Sequence, residues 1–172
     1  MSVKLKIEGT SKAELIIKML IYAFIYGLFM INIIDLTVKT FWGYHIFLIL
    51  MYFFPFFIAC LILGFDDWEL LASLGLLSSL MNDLFYAPIG NIFFHINYDL
   101  REWYAWQLGF GGASVKWYFQ GGFFTIPVSS ILMGLSIYAR IALVYVILRK
   151  WWTEPDCDLW FISWAKAHLS SS

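Results

Sequence analysis

Residues 70–94 read LLASLGLLSSLMNDLFYAPIGNIFF, and this stretch decides the fold. It is long enough to cross a bilayer as one helix, which takes about twenty mostly apolar residues. Near its middle stand Asn82 and Asp83. An ionisable group at that depth is costly in hydrocarbon, so it marks a site of pairing or of function.

Three more apolar runs accompany it, at residues 15–34, 41–63 and 123–148, and the third span itself reads as 68–94. The expected fold is all-α: a polytopic integral membrane helical bundle with four transmembrane helices. An outer aromatic loop at 95–122 and an inner tail at 149–172 complete a single membrane domain over 1–172. Composition agrees. The chain is 62% hydrophobic and 13% charged, whereas soluble domains carry roughly 25% charged residues. A net charge of −1 and the lack of a basic stripe exclude nucleic acid as a partner. Nine Trp and ten Tyr suit a protein with two membrane–water interfaces, so the lipid bilayer is the expected partner. Cys60 lies in an apolar span and Cys157 in the tail, without metal-ligand spacing, and no disulfide is expected.

The span boundaries carry their own signals. Asp35 and Lys39 end the first span, and Pro55 bends the second. Asp66 with Glu69 reads as a capping box that opens the third. Arg149, Lys150, Trp151 and Trp152 close the fourth. The run 15–34 exceeds a signal-peptide core and no A-x-A-like site follows, so it reads as a retained anchor. Lys4, Lys6, Lys12, Lys18, Arg149, Lys150 and Lys166 fall on one side; Lys39, Arg101 and Lys116 fall on the other. That imbalance places both termini in the cytoplasm of a cell-membrane protein. In the tail, Leu159, Trp160, Phe161, Ile162 and Trp164 beside Lys166 and His168 predict a C-terminal interfacial helix after Pro155.

The polar groups of the third span suggest a pocket. Asn91, His95, Asp99 and Glu102 follow spacings of four, four and three, one face of a helix that continues to Leu108. Asp83 lies about 80° round from Asn91 on the same helix. Pro88 between them frees a backbone carbonyl that a neighbour or water must satisfy. A hydrated cleft and simple interhelical bonding both fit. Arg140 in the fourth span pairs with Asp83 or snorkels to inner headgroups. With spans ending at Leu70 and Leu148, the two lie ~20 Å and ~12 Å from the inner edge, and the gap leans toward snorkelling.

His45 and His95 fall at the outer ends of adjacent spans. With Asp99 and Asp35 they form a candidate metal set, and the histidines alone a candidate haem pair. No HxxxH, HExxH or ExxH motif strengthens that reading. Gly109-Phe110-Gly111 lacks the preceding threonines of a potassium-channel filter and reads as a glycine turn. Gly75 with Ser79, and Ser130 with Gly134, are small residues spaced for close helix approach. Three function classes remain, in this order: a subunit or assembly partner of a membrane complex, with other membrane subunits or further copies as partners; a transporter using Asp83; and a metal- or haem-dependent membrane enzyme.

Overall fold

The computed structural model describes residues 12–38, 41–63 and 68–152. The turn at Asp66 and Asp67, Lys39 and the tail helix expected at 156–169 lie outside the described residues. In chain order, α1 (Lys12–Ile25) runs through a π-helical turn (Tyr26–Ile31) into α2 (Asn32–Thr37), and the three make the first span. The second span is α3 (Tyr44–Leu63) and the third is α4 (Trp68–Phe93). A short α5 (Leu100–Gln107) and a hairpin of β1 (Val115–Gln120) and β2 (Thr125–Ser129) precede the fourth span, α6 (Ser130–Trp152). Four helical stretches are long and apolar enough to cross a membrane. The fold is an all-α bundle with one small antiparallel sheet.

α4 is the central helix. Its crossing stretch is 56% buried, against 28%, 22% and 22% for the other three. The sequence explains this: Ser73, Gly75, Ser78, Ser79, Asn82 and Gly90 put small and polar side chains on several faces of α4, all of them buried. The outer helices turn Leu50, Phe54, Leu61, Leu135, Tyr145 and Val146 outward. So large an apolar exterior suits lipid rather than water. Ala23, Phe56, Cys60, Leu71 and Leu74 join α1, α3 and α4. Leu80, Trp106, Val128, Met133, Ile137 and Val144 join α4 to α5, β2 and α6. Ile16, Leu70 and Trp151 pack together where α1 and α4 begin and α6 ends, which places those ends on one side. The opposite side carries the hairpin. At Gly27, in the π-helical turn, a Cβ would stand 2.3 Å from the Ser78 carbonyl oxygen, so only glycine lets the first span and α4 cross this closely.

Both intrahelical prolines are accommodated in the same way. Proline lacks an N–H and leaves the carbonyl four residues earlier without its donor. For Pro55 that carbonyl is Met51, and the Tyr26 hydroxyl donates to it at 2.9 Å. For Pro88 it is Leu84, and the Tyr104 hydroxyl donates to it at 2.9 Å. A neighbouring tyrosine thus replaces each missing donor, as an apolar surround requires.

Three expectations need correction. The third helix does not continue to Leu108: it ends at Phe93, and His95 and Asn97 adopt positive φ before α5 starts at Leu100. The Asn91 side chain causes this, donating to the Tyr98 carbonyl at 2.9 Å and accepting the Tyr98 N–H at 2.6 Å. The fourth span begins at Ser130 rather than 123, because residues 125–129 pair with β1. The expected loop at 95–122 therefore contains a helix and a strand, with a Gly121–Phe124 turn closing the hairpin. Pro127 sits in β2, where a missing N–H discourages strand addition at an open edge.

Candidate functional site

Two polar groups meet on α4, one on each side. On the first side Asn82, 1% exposed, is the hub. Its Nδ2 donates to Asn32 Oδ1 at 3.0 Å and to Asp35 Oδ2 at 3.2 Å. Its Oδ1 accepts the Tyr52 hydroxyl at 2.6 Å. Asn32 in turn donates to the Gly27 and Leu28 carbonyls at 3.1 and 2.9 Å. Those carbonyls lie in the π-helical turn, whose wider ladder displaces the usual donors and swings Asn32 inward. Asp35 is half-buried, and the hydroxyl of buried Tyr44 contacts both its Oδ1 and its backbone carbonyl. The first span, α3 and α4 are therefore joined by one side-chain network. Each half of both amides has a partner, as burial demands.

On the other side Arg140 reaches α4 from α6. Its Nη2 lies 2.5 Å from Asp83 Oδ2, its Nη1 donates to Ser79 Oγ at 3.0 Å, and its Nε to the Ser136 carbonyl at 3.2 Å. The ion pair replaces the snorkelling favoured from sequence. The reason is helix length. α6 runs to Trp152 and α4 starts at Trp68, so Arg140 and Asp83 stand ~18 and ~22 Å from the same end, nearly level. The side chains are 16% and 21% exposed, so the pair is mostly but not wholly enclosed. Gln107 of α5 adds a bond from Nε2 to the Asp83 carbonyl at 2.9 Å.

The remaining candidates disperse. Asn91 clamps the chain reversal, and Asp99 caps α5 by accepting the Glu102 N–H at 3.0 Å. Glu102 pairs with Lys116 of β1 at 2.8 Å. His95 is exposed on the positive-φ stretch after α4. His45 Nδ1 accepts the Gln120 N–H at 2.8 Å, and its ring stacks on Trp117 and Phe119 at 5.0 and 5.1 Å. Those two aromatics lie two apart on one face of β1, which pins the hairpin to the start of α3. The structure does not bring His45, His95, Asp99 and Asp35 together as a ligand set. Among the described residues no three His, Cys, Asp or Glu side chains converge as a metal site. A cavity of about 350 Å³ lies at the hairpin end, lined by Phe41, Trp42, Gln120, Gly122, Phe124 and Thr125, none of them a sequence candidate.

Sequence reasoning missed Asn32, Tyr44, Tyr52 and Ser79 as partners. A polar Asn32 and an acidic Asp35 three apart in the first span were the available signal for a shared face. These features define a multi-pass α-helical membrane protein whose helices are joined by intramembrane polar contacts. Comparison with protein families, curated proteins and solved structures returns no match.

Proposed function

We propose that this chain is a subunit or assembly partner in a membrane complex, with both termini cytoplasmic and the hairpin facing outward. One observation carries the reading. Among the pocket candidates Asn82, Asp83, Asn91, Glu102 and Arg140 are each engaged by another part of the chain, and Asp99 caps its own helix. Asn82, Asp83 and Arg140, the candidates at bilayer depth, join helices instead. Asp83 in an ion pair with Arg140 speaks against a vacant midplane ligand for a transported ion. The outward aromatic surface supports the partner: Trp42 and Phe123 are 69% and 94% exposed beside Phe124 and Tyr118. Large bare aromatic patches suit interfaces with lipid or protein.

The test is native mass measurement after extraction from source membranes in mild detergent. A stoichiometric second chain, or a fixed number of copies, is expected; a monomer that carries no other chain contradicts the proposal. Reagent labelling of single cysteines at the two termini and at Phe123 checks the orientation. Phe123 is expected to label from outside the cell and both termini only after permeabilisation; the opposite pattern reverses the assignment.

A further inference from the structure

Among the described residues Asp35 has no counter-charge. The cation inside the bundle, Arg140, is paired with Asp83, and no basic side chain lies against Asp35 among the described residues. The groups acting on it are Tyr44 and Tyr52 from α3 and Asn82, Asp83 and Tyr86 from α4, none of them positive. An ionised Asp35 places at the end of the first span a negative charge that no described basic side chain compensates, which a low-dielectric surround penalises.

A count of hydrogens points the same way. Tyr44 Oη lies within hydrogen-bonding reach of the Asp35 carbonyl oxygen, at 3.1 Å, and of Asp35 Oδ1. With an ionised carboxylate those three oxygens share the single Tyr44 hydrogen. One contact is then bonded and the other sets lone pair against lone pair. One added hydrogen on Oδ1 resolves both contacts. The carboxyl O–H donates to Tyr44 Oη, and the Tyr44 O–H turns to the Asp35 carbonyl. That carbonyl belongs to the last turn of α2, where intrahelical donors run out. Asp35 Oδ2 stays free to accept from Asn82 Nδ2 at 3.2 Å.

We propose that Asp35 is a proton-binding site, held as a neutral carboxylic acid that donates to Tyr44 and exchanging its proton with the hairpin side. The exchange route is short, because Asp35 lies two residues from the end of α2 and Tyr44 opens α3. The bound species is one proton taken up from water by the carboxylate; no other reactant is required. Loss of that proton opposes two oxygens across the α2–α3 joint, so protonation couples the first span to the second. This site is independent of whether the chain has a partner.

Infrared spectroscopy of the full chain in lipid nanodiscs reads the proton through the C=O stretch of a carboxylic acid. Solvated Asp and Glu are ionised at neutral pH and do not contribute. The wild type is expected to show this band at neutral pH, Asp35→Asn to lack it and Asp83→Asn to keep it. Tyr44→Phe removes the acceptor and is expected to move the band to higher frequency without abolishing it, which serves if Asp35→Asn does not fold. Absence of the band in the wild type, its survival in Asp35→Asn, or an unmoved band in Tyr44→Phe overturns the proposal.

Discussion

Two tyrosine hydroxyls perform one task at two prolines, and this is the most portable lesson at the scale of single residues. Tyr26 and Tyr104 each donate to the carbonyl that a proline has stripped of its donor. A buried acceptor without a partner costs about 1–3 kcal/mol. Tyr104→Phe is therefore expected to lower unfolding free energy in detergent by about that amount. In a Pro88→Ala background the loss should vanish, since Ala at 88 supplies the N–H that Leu84 lacks; an equal loss in both backgrounds contradicts the pairing. Burial also pushes the Tyr104 hydroxyl above its ordinary value of about 10. The folded state then holds that proton more tightly than the unfolded one. Its contribution is full below about pH 10 and is lost as pH rises through the higher folded value. Equilibrium unfolding against pH is expected to show this alkaline loss in the wild type and a smaller one in Tyr104→Phe. The need for a donor at Pro88 was legible in sequence; its identity was not, because Tyr104 lies beyond a chain reversal that hydropathy does not encode.

At the scale of elements, the segment after α4 shows how a periodic pattern misleads. Asn91, His95, Asp99 and Glu102 keep helical spacing, yet the helix breaks between the first and the last. The competing signal was present: Asp99 followed three residues later by Glu102 is a helix-start pattern, and α5 begins there. The hairpin was legible too, since Gly121-Gly122 separates two runs rich in β-branched and aromatic residues. The length of the apolar run concealed it, because residues 123–129 are as oily as the helix that follows. His95 at φ 54 sits in a region that disfavours side chains. His95→Gly is expected to raise stability by about 1 kcal/mol in a thermal or denaturant melt. A destabilised His95→Gly shows that the histidine holds contacts of its own and reopens its candidacy as a ligand.

For the whole molecule, four apolar spans with polar groups midway along the third followed from hydropathy and from Asn82 and Asp83, and the structure adds that this third helix is the buried one. Transfer energetics explain both, because apolar length sets the number of spans and polar content decides which helix lies inside. The choice of partners did not follow, since it depends on rotation and relative height of helices that a linear sequence leaves unset. The π-helical turn is the clearest case. It rotates Asn32 and Asp35 toward α4, and nothing in the composition of residues 26–31 announces it. The central claim is that the polar side chains of α4 join helices. A double-mutant cycle on Asp83 and Arg140, read by unfolding free energy in mixed micelles, tests it most directly. Asp83→Ala and Arg140→Ala are each expected to cost about 3 kcal/mol, as removal of one partner of a buried pair does. The double variant is expected to cost no more than either single one; small single losses that simply add would contradict the claim.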